Sequence, residues 1–422
     1  MAILGVIADD FTGATDIAGM LVKGGMRTIQ TIGVPAGRPG SGMIPDDVDA
    51  VVVALKTRSI AAKDAVAQSL GALKALQAAG CVRFFFKYCS TFDSTDAGNI
   101  GPVGDALLEA LGARQAIYCP AFPENGRTIF FGHLFVGDVL LSDSSMRHHP
   151  LNPMTDASLV RVLARQTKHK VGLVPLKQVQ AGSATLRAAL DKLAADGVRH
   201  VVVDAVADTD LGIIGEAVGD DLLVTGGSGV ALGLPAAYRR RGLLTHKANA
   251  DTLPKVTGAA AVLAGSCSAA TLGQIAAFRG PHLHLDTDAI ARGEAVVDTA
   301  LAWAKDRLGN GPILLSASDT PDAVKALQAK YGVEKSSQAI EKTMAALAKG
   351  LVAAGVARMV VAGGETSGAV VGALDVTALR IGPEIDPGVP WTASVGAKPL
   401  LLALKSGNFG APDFFTKAFQ RL

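Results

Sequence analysis

Two adjacent carboxylates near the start of the chain are the first residues that could do chemistry. Asp9 and Asp10 follow a short apolar run, and Thr12 and Gly13 come shortly after them. Such a pair at the end of a strand could orient a substrate hydroxyl, hold a metal ion or cap the helix that follows. One aspartate or threonine is enough for a cap, so the second carboxylate favours a functional role.

Three cations stand at comparable places, just after predicted strands and close to hydroxyl side chains. They are Arg58, Lys87 and Arg127, and Ser90 follows the second of them. Guanidinium groups bind carboxylates at two points, and hydroxyl or carboxylate side chains bind the hydroxyls of a ligand. Each cation alone is more often a surface residue. Because ligands gather at the carboxyl ends of parallel strands, the set indicates a site for a small polyhydroxy acid.

Three glycine-rich turns in the second half of the chain also follow predicted strands. They are Gly265-Ser266-Cys267-Ser268, Gly363-Gly364-Glu365-Thr366 and Lys405-Ser406-Gly407. A turn of this kind before a helix offers backbone N–H groups and a positive dipole end to phosphate. One such turn is explained by tight-turn geometry, but three together favour a phosphate site, to which Lys405 adds a charge. A fourth turn, 226–229, is equally consistent with anion binding and with a tight turn.

Motifs of several other classes are missing from the sequence. There is no G-x-x-x-x-G-K-[ST] run, no G-x-G-x-x-G after the first strand and no G-x-S-x-G elbow. These absences disfavour a Walker-type site, an ordinary dinucleotide dehydrogenase and an α/β-hydrolase. His148 and His149 have no spaced third ligand, and the four cysteines form no C-x-x-C pair, so no metal site is predicted from the protein's own side chains.

Short aliphatic runs alternate with amphipathic stretches, the pattern of βαβ units around parallel sheets. The predicted strands of the first lobe are 3–8, 28–33, 50–55, 83–88, 115–119, 171–175, 200–204 and 222–225. Those of the second lobe are 260–264, 282–285, 313–316, 358–362 and 400–404. One long helical stretch is predicted over 176–195, and the basic and polar segment 239–255 is predicted to separate the lobes.

The fold expected is therefore α/β, with two lobes that each contain a mainly parallel sheet flanked by helices. The active site is expected in the cleft between them. Residues 1–250 are assigned to an N-terminal domain for the acid, and residues 256–422 to a C-terminal nucleotide-binding domain. Acid and nucleotide sites together indicate phosphoryl transfer, which needs Mg²⁺ on the phosphates and a carboxylate near the accepting hydroxyl.

Composition and net charge exclude some classes of binding partner. The chain has 422 residues, and 40 Lys+Arg against 38 Asp+Glu give a net charge of +2. No global charge attracts nucleic acid or an anionic membrane. The N-terminus lacks the basic region of a signal peptide, and no apolar run reaches the roughly 18–20 residues of a membrane span. A cytoplasmic enzyme with no nucleic-acid or membrane partner is expected.

In their order and spacing, these motifs resemble the four-carbon acid sugar kinase family over nearly the whole chain. The resemblance rests on residues 8–14, 57–59, 120–128, 203–205, 265–268, 363–368 and 405–410. It implies an N-terminal domain that binds a sugar acid and a C-terminal domain that binds ATP. The ATP-binding residues implied are Ser266, Gly363, Gly364, Glu365, Thr366 and Gly407. The residues expected near the acid are Asp9, Asp10, Arg58, Lys87, Ser90 and Arg127, and we infer that Asp10, with Asp9 second, assists the accepting hydroxyl.

One segment departs from the commonest form of the family motif. Threonate kinases carry K-x-D-S-T-L-R-G, whereas Lys87 to Thr95 read KYCSTFDST, with Cys89 and Asp93 replacing an aspartate and an arginine. This form resembles the 3-oxo-tetronate kinase branch, which phosphorylates the 4-hydroxyl of 3-dehydro-erythronates. The expected activity is ATP- and Mg²⁺-dependent phosphorylation of such an acid, with threonate or erythronate as alternative substrates.

Two classes outside the kinases stay open on the sequence alone. A nicotinamide-dependent sugar-acid dehydrogenase would also use glycine-rich turns after strands. A non-catalytic sugar-acid-binding protein would need only the first set of residues. The partners expected are a small sugar acid and ATP, and a homodimer is left open.

Overall fold

The chain forms two compact units in a computed structural model that describes residues 2–35, 44–149, 151–245 and 249–422. Unit 1 is Met1–Asp251 and unit 2 is Thr252–Leu422. The division falls within the basic and polar segment 239–255, of which residues 246–248 lie outside the described residues.

Eight parallel strands form the main sheet of unit 1, in the order β2-β3-β1-β4-β11-β5-β10-β9. The central strands are aliphatic and buried along their whole length, as expected where helices cover both faces of a sheet. The strands of the unit are β1 (Leu4–Ala8), β2 (Thr28–Ile32), β3 (Ala50–Ala54), β4 (Arg83–Lys87), β5 (Ala116–Cys119), β6 (Arg127–Phe130), β7 (His133–Val136), β8 (Val139–Leu140), β9 (Lys170–Val174), β10 (Val198–Val203) and β11 (Leu223–Gly226).

The helices of unit 1 connect these strands in the crossover pattern of parallel sheets. They are α1 (Phe11–Lys23), α2 (Ala62–Ala78), α3 (Ile100–Leu111), α4 (Leu159–Ala164), α5 (Leu176–Gln180), α6 (Ser183–Ala195), α7 (Asp208–Val218) and α8 (Leu234–Arg240). The single helical stretch predicted over 176–195 is wrong. Gly182 has a φ of 106°, which no right-handed helix accommodates, so the stretch is divided into α5 and α6.

A small antiparallel sheet, β6-β7-β8, was not predicted. Its strands have two to four residues and are separated by turns at Gly132 and Gly137, both with positive φ. Strands this short carry too little periodicity to be recognised.

Unit 2 contains a second sheet, in the order β13-β14-β12-β15-β18-β17-β16. Its strands are β12 (Ala259–Ala264), β13 (His282–His284), β14 (Ile313–Ser316), β15 (Val356–Ala362), β16 (Ala378–Asp386), β17 (Val389–Ser394) and β18 (Leu401–Lys405). Its helices are α9 (Ala269–Ala277), α10 (Thr287–Arg292), α11 (Val296–Lys305), α12 (Pro321–Tyr331), α13 (Val333–Ala353), α14 (Gly364–Ala373) and α15 (Phe414–Gln420).

The hairpin of β16 and β17 is the second missed element. These strands pair antiparallel with each other, and β17 pairs antiparallel with β18, whereas the other five strands of the sheet are parallel. Pro383 interrupts the strand pattern in the sequence, and the register shifts between Ile381 and Glu384 absorb it as an irregularity of the ladder. The predicted fold class, α/β with mainly parallel sheets flanked by helices, is confirmed. Within the described residues, no helix is long and apolar enough to cross a membrane.

Candidate active site

The predicted carboxylate pair lies at the carboxyl end of β1. Asp10 caps α1, because its Oδ1 accepts a hydrogen bond of 2.8 Å from the backbone N–H of Gly13. Asp9 is held by the neighbouring strands: its N–H donates to the carbonyl of Lys87 at 3.0 Å, and its carbonyl accepts from the N–H of Thr57 at 2.9 Å. The cap therefore uses one carboxylate and leaves the other for a separate task.

The carboxylate of Asp9 binds Arg58. Its Nε and Nη2 donate to the two carboxylate oxygens of Asp9 at 3.0 and 2.8 Å, and Nη2 also lies 2.8 Å from Asp10 Oδ1. Its Nη1 lies 3.8 Å from Asp93 Oδ2, so three carboxylates surround one guanidinium. Burial raises the pKa of Asp9, and the positive charge of Arg58 opposes that rise. The guanidinium fixes the orientation of the Asp9 and Asp10 carboxylates. Its Nη1 has the longest of these contacts, 3.8 Å to Asp93.

Lys87 ends β4 beneath the first turn of α1. The residue is only 3% exposed, and its Nζ donates to the carbonyl of Tyr88 at 2.7 Å. It makes no ion pair within 4.0 Å to any described carboxylate. A side chain at Gly13 would bring its Cβ to 2.9 Å from this ammonium, which places Lys87 directly under the helix start. A buried ammonium with so few partners is suited to an anionic ligand.

Asp16 belongs to the same cluster and was missed in the sequence. It lies on α1, accepts a short hydrogen bond from Ser228 Oγ, and burial raises its pKa, while the charge of Lys87 opposes the rise. An aspartate in the middle of a mostly apolar helix, six residues after Asp10, was the available signal.

The loop after β4 carries the residues that depart from the common family motif. Cys89 Sγ lies 2.9 Å from Thr91 Oγ1, and that hydroxyl donates to Asp93 Oδ1 at 2.6 Å. Burial raises the pKa of the Cys89 thiol, which therefore stays neutral at pH 7. Ser90, in the same loop, is partly exposed. The contacts from Cys89 to Thr91 and from Thr91 to Asp93 hold the Asp93 carboxylate beside Arg58.

Arg127 makes no hydrogen bond or ion pair with this cluster within the described residues. It begins β6, in the small sheet, and its Nη1 donates to the carbonyl of Asn125. Its Nε is buried without a hydrogen-bond partner among the described residues, and within them no hydrogen bond or ion pair joins it to Asp9, Asp10 or Arg58. A role for Arg127 beside Arg58 stays a prediction.

Backbone packing explains the fourth glycine-rich turn. A Cβ at Gly229 would overlap the carbonyl oxygen of Ala121, and one at Gly227 would lie 2.8 Å from the carbonyl oxygen of Pro120. The turn must therefore be glycine-rich for the loops after β5 and β11 to touch. Of the two readings of this turn, close packing accounts for its glycines without an anion.

Asp204, in the 203–205 motif, holds two loops together. It is completely buried, and its Oδ2 accepts from the N–H groups of Phe131 at 2.7 Å and Leu176 at 3.0 Å. Its Oδ1 accepts from the N–H of Gly132 at 2.8 Å. Burial raises the pKa of this carboxyl, although the three amides oppose the rise. These contacts give Asp204 a structural role.

In unit 2, the turns after β12 and β18 are in direct contact. Ser268 caps α9 and donates its hydroxyl to the carbonyl of Gly407 at 2.6 Å. Ser266 Oγ lies 3.3 Å from Ser268 Oγ, and a Cβ at Gly407 would overlap the hydroxyl of Ser266. Ser266 and Gly407, both implied by the family resemblance to bind ATP, are therefore immediate neighbours.

The turn after β15 joins the same group. Gly363 has a φ of 128° and caps α14, and its N–H donates to the carbonyl of Lys405 at 2.9 Å. A Cβ on Gly363 would lie 2.9 Å from Thr366 Oγ1, and one on Gly265 would overlap that hydroxyl. Gly364 and Glu365 are exposed at the start of α14, and a Cβ at Gly364 would meet open space. All three predicted turns converge at one edge of the unit 2 sheet.

A pocket of about 210 Å³ adjoins these turns within unit 2. Gly265, Glu365 and Thr366 line it, together with aliphatic side chains of α12 and α13. The aliphatic lining consists of Ala323, Val324, Leu327 and Ile340. The lining also includes polar side chains, among them Gln328, Ser337 and Glu341. The aliphatic part, next to the phosphate-type turns, suits the flat base of a nucleotide.

No group of three or more His, Cys, Asp or Glu side chains within the described residues could hold a metal ion. The carboxylates of Asp9 and Asp10 bind Arg58 and, for Asp10, the backbone N–H of Gly13.

A sugar-acid type of site on one parallel α/β unit and phosphate-type turns on another define a two-domain, nucleotide-using sugar enzyme. Family models agree: a sugar-binding N-terminal domain matches residues 4–234, and a nucleotide-binding C-terminal domain matches residues 261–415.

Full-length relatives make the relationship specific. The chain is 60% identical over 422 residues to a 3-oxo-tetronate kinase of Burkholderia multivorans and 58% identical over 426 residues to one of Cupriavidus necator, covering 100% of this chain and 97% of each relative. A crystal structure of a Haemophilus influenzae protein superposes with a TM-score of 0.89 at 46% identity, covering 99% of both chains. A Salmonella typhimurium structure, named for a tRNA synthase, gives a TM-score of 0.90 at 43% identity and full coverage of both chains. The chain belongs to the four-carbon acid sugar kinase family, as its motifs indicated.

Proposed function

We propose that this protein is an ATP-dependent kinase that phosphorylates the 4-hydroxyl of 3-oxo-tetronate, a 3-dehydro-erythronate. The observation that carries the proposal is 60% identity over the entire chain to a kinase of that name. The converging turns of unit 2 supply phosphate-binding features, and the cluster of unit 1 supplies carboxylates and cations for a small acid. Residues 1–250 then form the acid-sugar domain and residues 256–422 the nucleotide domain.

In the acid site, Asp10 is the residue assigned to the reacting hydroxyl. Its Oδ1 is occupied by Gly13 N–H and Arg58, so Oδ2 is the oxygen left to accept the hydroxyl proton. The new bond joins the substrate 4-oxygen to the γ-phosphorus, the bond from that phosphorus to the bridging oxygen breaks, and ADP leaves. Asp9, paired with Arg58, keeps the guanidinium in place and is the second candidate base.

The cations hold the negative charges of the reactants. Nη1 of Arg58 and the guanidinium of Arg127 bind the carboxylate of the acid, and Ser90 binds one of its oxygens. Lys87, buried under α1, neutralises charge on the acid or on the incoming phosphoryl group.

Ser266, Gly363, Gly364, Glu365, Thr366 and Gly407 form the nucleotide site, with the base in the adjoining pocket of α12 and α13. When bound together with ATP, Mg²⁺ would supply charge neutralisation on the phosphates. The enzyme acts in the cytoplasm on small molecules alone, and a homodimer is a further prediction, which light scattering coupled to size-exclusion chromatography measures.

The test is an ADP-release assay across four-carbon acids with the purified full-length chain. We expect turnover with a 3-oxo-tetronate to exceed turnover with threonate and erythronate. Good turnover with threonate and none with either 3-dehydro-erythronate would overturn the substrate. Fluorescence titration with NAD(P)H is the companion measurement: binding of NAD(P)H without ATP turnover would instead indicate a dehydrogenase.

A further inference from the structure

Lys405 is the most deeply buried cation among the phosphate-type turns of unit 2. It ends β18, is only 1% exposed, and has no carboxylate within ion-pair distance among the described residues. A buried ammonium normally has an acidic partner, because burial of an unpaired charge is costly. Because the burial of this unpaired ammonium costs stability, its presence at the end of β18 indicates a functional role.

All three protons of the ammonium are used by neutral oxygens. Nζ donates to the carbonyl of Ser406 at 3.0 Å, to the carbonyl of Gly407 at 3.1 Å and to Thr271 Oγ1 at 3.1 Å. The Gly407 carbonyl also accepts from Ser268 Oγ at 2.6 Å and from Thr271 Oγ1 at 3.0 Å. Two consecutive carbonyl groups are thus drawn to one side of the turn and fixed there.

The planar trans peptide decides where the matching N–H groups point. Within a peptide unit the N–H lies opposite the C=O. The carbonyl of Ser406 shares its unit with the N–H of Gly407, and the carbonyl of Gly407 shares its unit with the N–H of Asn408. Both N–H groups therefore point away from Lys405, and neither donates to a described residue. Gly407 is partly exposed and Asn408 is exposed, so a ligand can reach them.

Consecutive N–H groups that face the same way form a concave site for an anion. We propose that Lys405 is a positioning residue: it holds two consecutive carbonyls inward so that the amides of Gly407 and Asn408 bind a phosphate group of the nucleotide. The proposal rests on the proposed use of ATP and assigns the phosphate contact to main-chain amides. The ammonium acts through the turn and adds positive potential behind it, without touching the nucleotide.

The environment of Lys405 makes this role sensitive to pH. Burial alone lowers its pKa to about 8, so the free protein loses this charge in mildly alkaline solution. The adjoining segments carry the ionisable side chains of Cys267, in the turn after β12, and of Glu365, on α14, and neither is a cause of the shift in the pKa of Lys405. The neighbouring strand β17 carries no ionisable side chain. The one ionisable residue of β15 is Arg358, which lies near the start of that strand, at the end opposite the turns. Since a bound phosphate favours the protonated lysine, nucleotide affinity should fall as pH rises through this range.

The experiment is calorimetric titration of the full-length chain with ADP and with inorganic pyrophosphate. The variants are Lys405→Met, which keeps the length but removes charge and donors, and Lys405→Arg, which keeps the charge. Lys398→Met, at an exposed lysine in the turn before β18, is the matched control. At about pH 7.5, we expect Lys405→Met to weaken ADP and pyrophosphate by about tenfold to hundredfold, with Lys398→Met unchanged and Lys405→Arg intermediate.

Lys405→Met is not expected to prevent folding, since each acceptor keeps another donor: Phe409 N–H for Ser406, and Ser268 and Thr271 for Gly407. The second readout is the change in ADP affinity between about pH 7.5 and about pH 9.5. It should be clear in the wild type and in Cys267→Ser, and absent in Lys405→Met. Equal affinity and equal pH dependence in wild type and Lys405→Met would overturn the inference while leaving the kinase proposal intact. A wild type that binds neither ADP nor pyrophosphate would overturn the proposed use of ATP itself.

Discussion

Replacement of Arg58 by methionine tests the carboxylate cluster most directly. The substitution keeps much of the aliphatic stem but removes the guanidinium from Asp9, Asp10 and Asp93. Asp9 then remains buried at the end of β1 without the two hydrogen bonds of 2.8 and 3.0 Å that now neutralise it. Removal of one member of a buried pair costs about 3–5 kcal/mol of the free energy of unfolding, because the other charge is left uncompensated.

The chain contains a matched control for this substitution. Arg161 also binds an aspartate with two hydrogen bonds, of 2.7 and 3.1 Å to Asp156, but the arginine side chain is 60% exposed. Arg161→Met removes the same bidentate geometry at a solvated place, where screening makes an ion pair weak. The loss of stability in the control should therefore be several times smaller than the loss in Arg58→Met.

The loss of stability in Arg58→Met should depend on pH. Burial already raises the pKa of Asp9, and without Arg58 that pKa should rise further. The folded variant then binds a proton that the unfolded chain releases above about pH 4, so its stability falls as pH rises through the elevated pKa. The destabilisation by Arg58→Met should be larger at about pH 8 than at about pH 5.

Urea denaturation at the two pH values, followed by circular dichroism, measures these quantities. The double variant Arg58→Met/Asp9→Asn should recover part of the loss, since the orphaned charge is gone. The reasoning is refuted if Arg58→Met costs no more than Arg161→Met, or if its cost is the same at both pH values and unrelieved by Asp9→Asn.

Three further predictions concern the chemical step, nucleotide affinity and the titration of the buried lysine. Asp10→Asn should lower kcat by about 10²–10⁴ with little change in the KM for ATP, which steady-state kinetics will show; an unchanged kcat would remove Asp10 from the reaction. Gly407→Ala places a Cβ against Ser266 and should raise the KM for ATP about tenfold but not that for the acid, whereas Gly372→Ala, on α14 where a Cβ meets open space, should change both little; equal effects of the two would count against the assignment. Since burial lowers the pKa of Lys405 to about 8, the unfolded chain binds this proton more tightly from there to about pH 10, so the free energy of unfolding should rise with pH over that range in the wild type and not in Lys405→Met.

Strong local patterns made most of the parallel strands predictable. The buried runs of β1 and β3 are almost purely aliphatic, and their bounds in the structure differ from the predicted ones by one residue at most. The hairpin of β16 and β17 was not predictable in this way. Pro383 within β16 argues against a strand, but β16 pairs with β17, which in turn pairs with β18 and places Trp391 in the core.

In the candidate sites, too, the features set by local sequence were predictable and those set by tertiary contacts were not. Asp9, Arg58 and Lys87 could be assigned to one edge of a sheet, because the ends of adjacent parallel strands must meet. Their pairing could not be assigned, since it depends on which side chains face each other across different strands. Asp16 and Asp93 enter the acid site only through such contacts, and the inward carbonyls at Lys405 depend on the conformation of a turn.

The buried carboxylate of Asp204 has a consequence for motion. Three amides from two stretches of chain, Phe131 and Gly132 in the small sheet and Leu176 at the start of α5, depend on one side chain for their acceptor. A single proton on that side chain weakens all three attachments at once, and burial brings that event to a higher pH than for an ordinary aspartate. The turn and the helix start should therefore loosen as one cooperative unit, and their amides should lose protection from hydrogen exchange together on acidification.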